Sequence, residues 1–257
     1  MTTGLEHFIP HVFPFLLVLF RTAAIFMFAP MFGSSVIPIR VKLLLSLALS
    51  VCIYPVIPFQ LIVFDSIFAL AFAVAMEMLI GLAIGYGASL PLVAMQVGGQ
   101  MMGHQLGLGL AQVFNPEFNE QTEVLSQFLF MMALAIFLVL NGHHAVLHAL
   151  AGSFESVPLG GYVPDGTLVG LVTGLLGSMF ELGMRVAAPL LCLIFLETVA
   201  MGFVARTVPQ LNILSLGFPL RILVGLFLLM GLVTLMYDVL AVHIQQTMRA
   251  IIQVFGT

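Results

Sequence analysis

Five ionisable side chains, Arg21, Glu77, Glu181, Arg185 and Glu197, stand inside runs of hydrocarbon-rich sequence long enough to cross a bilayer. At such depth a charge costs about 2.5–3.5 kcal/mol on insertion scales, so each needs a partner or a wet cavity. Glu181 and Arg185 are four residues apart, share one face of a helix and read as a structural ion pair. Arg21, Glu77 and Glu197 read as charges buried at contacts with other subunits; a proton relay through Glu77, Glu181 or Glu197 is the competing use. His144 and His148 are one helical turn apart, but Asn141-Gly142 marks a helix end just before them. No HExxH pattern or nearby carboxylate completes a ligand set, so no metal is expected. Cys52 and Cys192 lie in apolar runs without a CxxC and read as buried thiols. No nucleophile with its base, phosphate loop or acid/base pair stands out. Neither an enzyme nor a cofactor is expected.

The other distinctive chemistry is conformational. Gln96 to Thr122 interrupts near-continuous hydrocarbon with Gly98, Gly99, Gly103, Gly107 and Gly109. Each glycine costs a helix about 1 kcal/mol relative to alanine, and Asn115-Pro116 forces a turn. Irregular backbone at membrane depth is tolerated only inside protein or along a water-filled cavity. The stretch therefore reads as a loop lining or closing a passage. Met95, Met101, Met102, Met131 and Met132 surround it, suited by their flexible thioethers to irregular packing or a pliable seal. Phe114 and Phe118 bracket the turn, and Glu117, Glu120 and Glu123 form an acidic edge.

The elements that carry these groups follow from composition. With 61% hydrophobic and 7% charged residues and a mean hydropathy of +1.20, the chain is of the membrane class. A net charge of -4 without any basic stripe excludes nucleic acid as a partner. Apolar runs predict helices over 12–31, 41–57, 64–90 (closed by Pro91), 124–140, 168–204 (kinked at Pro189) and 221–252. Gly81 and Gly85, four apart, predict a close helix contact. Ser153 to Gly166 reads as a connecting loop and Arg206 to Pro219 as a turn. The expected division is a first part, 1–165, and a C-terminal helical hairpin, 166–257. The N-terminus has no basic region of a secretory signal and is expected to continue into structure. Arg40, Lys42, Arg206 and Arg221 flank odd-numbered connections, which points both termini outward.

Several stretches together resemble one family. Ala29-Pro-Met-Phe-Gly with Ile37-Pro-Ile-Arg-Val-Lys, then Gln96 to Pro116, then Asn141-Gly-His-His through Ser153-Phe and Pro158 are similar, in order and spacing, to the FliR family of flagellar type III export-gate proteins. The family is related to the virulence type III secretion proteins called SctT. The resemblance implies an all-α, non-enzymatic subunit of long kinked helices and hairpins. It would assemble with FliP and FliQ into a channel for unfolded flagellar proteins, with FlhB and FlhA nearby, in the inner membrane at the flagellar basal body. Residues 1–165 would be FliP-like and 166–257 FliQ-like. The plug loop would occupy about 96–122, with Leu106, Gly107, Leu108, Gly109, Phe114, Asn115 and Pro116 closing the pore and Met101 and Met102 supporting the seal. A small-ion transporter using intramembrane carboxylates is the alternative.

Overall fold

In the computed structural model, residues 5–34, 36–57, 64, 66–108, 124–162, 166–207 and 213–255 are described, and their regular structure is entirely α-helical. The helices are α1 (Leu5–Phe28), α2 (Ile39–Ile53), α3 (Ile67–Leu106), α4 (Val124–Val139), α5 (Gly142–Ser156), α6 (Gly166–Thr207) and α7 (Ile213–Phe255). A helix keeps every backbone bond within its own segment, which hydrocarbon surroundings demand. Hydroxyls on these helices follow the same rule. Thr22 Oγ1 donates to the Val18 carbonyl at 2.8 Å, Ser50 Oγ to Ser46 at 2.7 Å and Thr198 Oγ1 to Ile194 at 2.8 Å. Among the described residues, three helices, over Pro10–Phe28, Ile67–Leu106 and Leu168–Thr207, are long and apolar enough to cross a membrane. Two bent pairs, α4 with α5 and the two halves of α7, raise that number to five if each pair is one span.

The chain groups into two compact units. The first holds residues 1–90, 137–176 and 244–257. Its core includes Leu17, Val18 and Ile25 of α1, Ile80 and Ile84 of α3, Leu150 and Phe154 of α5, and Ile251 and Phe255 of α7. The paired glycines of α3 do what their spacing predicts. A side chain on Gly81 would overlap the Arg21 carbonyl, and one on Gly85 would lie 3.1 Å from the Ala29 nitrogen. α2 packs on α1, with the Tyr54 hydroxyl 2.8 Å from His11 Nδ1 and the Tyr54 ring edge-on to Phe15.

The second unit holds residues 91–136 and 177–243. Here too glycine allows backbones to meet. A side chain on Gly98 would sit 3.0 Å from the Gly183 carbonyl, and one on Gly99 2.7 Å from Ser126 Cα.

Five expectations need correction. α3 does not stop at Pro91 but runs fifteen residues further, to Leu106. Leu92, Ala94, Met95, Met102 and Leu106 are all buried on that extension, and their burial outweighs the roughly 3 kcal/mol that an internal proline costs. For the same reason Gly98, Gly99 and Gly103 are helical, and Gly98 and Gly99 serve close packing rather than bending. Gly142 to Ser156 forms α5, so the first four residues of the expected loop, Ser153 to Ser156, are helical: Asn141 takes the left-handed conformation (φ 56°) and ends α4 while α5 starts at once. The expected turn at 206–219 shrinks, because α6 reaches Thr207 and α7 begins at Ile213, with Pro219 inside it. Both cysteines are free but exposed, because α2 and α6 turn those apolar faces away from the chain's own core.

Candidate functional site

Two polar nodes and the end of α3 account for most of the unusual residues. In the first unit, Arg21 and Glu77 are fully buried and pair at 2.5 Å, from Nε to Oε2. The rest of the guanidinium is consumed as well. Nη1 donates to the Ser153 carbonyl at 2.7 Å and its hydroxyl at 3.1 Å, and Nη2 donates to the Val157 carbonyl at 3.2 Å. These carbonyls belong to the last turn and cap of α5, the negative end of that helix, where a cation is favoured. The Phe154 ring covers the guanidinium, 4.4 Å from Cζ to the ring centre. Glu77 Oε1 accepts the Gly160 N–H at 2.9 Å. Gly160 sits at φ +65°, a conformation glycine adopts without strain. The node thus ties α1, α3 and the turn after α5 into one saturated network. The sequence reading placed these two charges at contacts with other subunits; both are satisfied inside one chain.

In the second unit, Arg221 of α7 meets Glu197 and Thr198 of α6. Its Nε lies 3.2 Å from Glu197 Oε2, and its Nη2 donates to Thr198 Oγ1 at 2.9 Å. Its Nη1 reaches the Gln105 carbonyl at 3.5 Å. Glu197 Oε1 is buried and has no hydrogen-bond partner. Glu181 and Arg185, on α6, pair at 2.6 Å and stand exposed.

The end of α3 is built with equal definition. The Gly107 N–H donates to the His104 carbonyl and the Leu108 N–H to the Gly103 carbonyl, both at 3.1 Å, with Gly107 at φ +76°. This double closure is a Schellman motif, and only a glycine takes that φ cheaply. Leu106 is fully buried, as is Met102, while Met101 is half-buried and Leu108 is exposed. Two further α7 residues complete the seat. Gly225 has no room for a side chain against Leu106, and a Cβ on Gly107 would lie 2.6 Å from the Phe218 ring. Phe218, Arg221 and Gly225 fall at i, i+3 and i+7, on one helix face. The sequence alone does not single out Thr198, Phe218 or Gly225; for the last two the signal is their i, i+3, i+7 spacing with Arg221. Gly109, Phe114, Asn115 and Pro116 lie outside the described residues.

Among the described residues no group of three or more His, Cys, Asp or Glu side chains could hold a metal ion. His143 and His144 stack with ring centres 4.3 Å apart, without a carboxylate to complete a ligand set. Among the described residues the arrangement holds helices together and seats a chain segment.

Residues 12–247 match the family described as bacterial export proteins, family 1. The flagellar biosynthetic protein FliR of Bacillus subtilis (strain 168) is 31% identical over 255 residues, covering 95% of this chain and 97% of the relative. The protein of the same name from Escherichia coli (strain K12) is 33% identical over 217 residues, 84% of this chain and 83% of the relative. That of Aquifex aeolicus (strain VF5) is 27% identical over 230 residues, covering 90% and 89%.

Proposed function

Because this chain belongs to the bacterial export proteins of family 1, the FliR family, we propose that it is a subunit of the flagellar type III protein export gate. In this reading it assembles with FliP and FliQ in the inner membrane at the flagellar basal body. FlhB and FlhA adjoin the assembly, which passes unfolded flagellar proteins and carries out no catalysis. Residues 1–165 play the FliP-like part and 166–257 the FliQ-like hairpin. The segment that starts at Leu106 and ends near Thr122 plugs the resting channel, with Met101 and Met102 behind it. Arg185, Glu181 and the exposed apolar faces of α6, including Phe195 and Phe203, are available to neighbouring subunits.

One observation carries the plug reading. α3 ends at a defined glycine turn whose last residues are seated on α7, so in the resting channel the segment that follows departs from a defined seat. A plug needs such a base, because a tether that drifted would lose the register of its closing residues. One carboxylate of the transporter alternative weighs against it: Glu77 has both oxygens engaged, by Arg21 and by Gly160, and so is not free to relay protons.

Deletion of residues 106–122 tests the plug. The gate should still assemble, as judged by copurification with its partners, and its membrane should become permeable to small ions. Unaltered permeability in an assembled gate would exclude a plug in this segment.

A further inference from the structure

The contacts at the base of the segment after α3 are divided in an unusual way. Arg221 gives one donor to Glu197, one to Thr198 and one to the Gln105 carbonyl. Glu197, with a side chain only 10% exposed, has its second oxygen unused. A guanidinium beside a carboxylate ordinarily closes on both oxygens, since the two-pronged pair is the stronger arrangement. Here one prong goes to the backbone of α3 instead, and a buried acceptor is left without a donor.

We propose that Arg221 and Glu197 form a two-position latch on the base of this segment. In the seated position, the one observed, the guanidinium is shared between α6 and the end of α3. Phe218 and Gly225, on the same face of α7, pack against Gly107 and Leu106. In the released position, the Gln105 carbonyl withdraws and Arg221 closes on both Glu197 oxygens. The unused oxygen is what lowers the cost of release: the hydrogen bond lost to α3 is replaced inside the α6–α7 hairpin. The two arrangements differ by few contacts, which is the condition for a segment to move without unfolding its support. Arg221 and Glu197 are positioning residues. The latch deepens the plug reading and depends on it for its consequence, namely that release opens the channel.

A latch and a plain structural ion pair differ in sign. Arg221→Gln removes the grip on Gln105 and favours release. Glu197→Gln weakens the released position, where two charged bonds are lost, more than the seated one, where one is lost, and so favours the seat. The test uses the full chain in its complete export apparatus, with deuterium exchange into residues 103–108 of the purified gate and ion permeability of the resting membrane. Arg221→Gln should raise exchange about tenfold, the effect of about one charge-assisted hydrogen bond, and raise the leak. Glu197→Gln should slow exchange several-fold and leave the leak at or below its normal level. If both substitutions shift exchange in the same direction, the latch is wrong and the pair is structural. Should Arg221→Gln fail to assemble, Arg221→Lys decides. Lysine keeps the charge but lacks the planar fork, so exchange should still rise, and unchanged exchange would overturn the latch. The plug reading fails separately: a gate lacking residues 106–122 that stays ion-tight excludes the plug, while opposite exchange shifts in the intact chain would still support the latch.

Discussion

The two arginine–glutamate nodes use the same chemistry for different ends. Arg21 is fully buried, and its Nε and both Nη nitrogens each hold an acceptor; Glu77 has both oxygens engaged. Arg221 is 30% exposed at its side chain, its longest bond is the 3.5 Å contact to Gln105, and its partner Glu197 keeps an idle oxygen. A saturated network has one good arrangement, because any movement strands a buried charge. An unsaturated one has a second arrangement within reach. The difference teaches where this chain is fixed and where it can move: the first node locks α1, α3 and the turn after α5, and the second holds the start of the proposed plug by contacts that can be exchanged.

The comparison can be broken at its strongest point first. Arg21→Ala or Glu77→Ala strands an uncompensated charge in a dry core and should cost about 3–5 kcal/mol. The expected result is loss of assembled protein, with the residue that survives purification melting well below the parent. A melting point unchanged by either substitution would show that the node is not a lock. Gly81→Ala comes next, at about 1–3 kcal/mol, since its new methyl meets the Arg21 carbonyl and backbone cannot step aside. Gly107→Ala should cost about 1–2 kcal/mol for the left-handed backbone alone, with the Phe218 ring adding to it. Its distinguishing mark is faster exchange confined to residues 103–108. Arg221→Ala should lower stability by about 1–2 kcal/mol, less than Arg21→Ala because the guanidinium is partly open to solvent, although Glu197 is left nearly buried. A loss as large as that of Arg21→Ala would erase the distinction between the nodes. The smallest effect is expected at Cys52 and Cys192: both are exposed, so both should react with a maleimide in the detergent-solubilised chain without shifting its melting point.

Much of the fold was legible because hydrocarbon periodicity leaves few alternatives. The long helices α6 and α7 were anticipated to within a few residues at their outer ends, and the Gly81–Gly85 spacing announced the approach of α1 to α3. The failures have one physical cause. Pro91, Gly98, Gly99 and Gly103 are local helix breakers, and along α3 the burial of neighbouring side chains or the close approach of another helix overrode the local cost. The need for a partner at Arg21 was readable; its identity was not, since Glu77 is 56 residues away and Ser153 is 132. The seat at the end of α3 was half readable. Gly107 stands out for its flexibility, but the α7 face beneath its turn, with Phe218 and Arg221, lies more than one hundred residues along the chain.

The most direct measurement compares the two nodes in one sample. Hydrogen exchange of the purified, assembled gate reports the Gly160 amide, held by Glu77, beside the Gly107 and Leu108 amides of the α3 terminus. A locked node opens only with the whole unit, whereas a seat that can be released opens locally at lower free energy. The amides of Gly107 and Leu108 should therefore exchange about a hundredfold faster than that of Gly160, a difference of about 2.7 kcal/mol in opening free energy. Equal protection at the two places would contradict the account, since the base of the proposed plug would then be as fixed as the Arg21–Glu77 node.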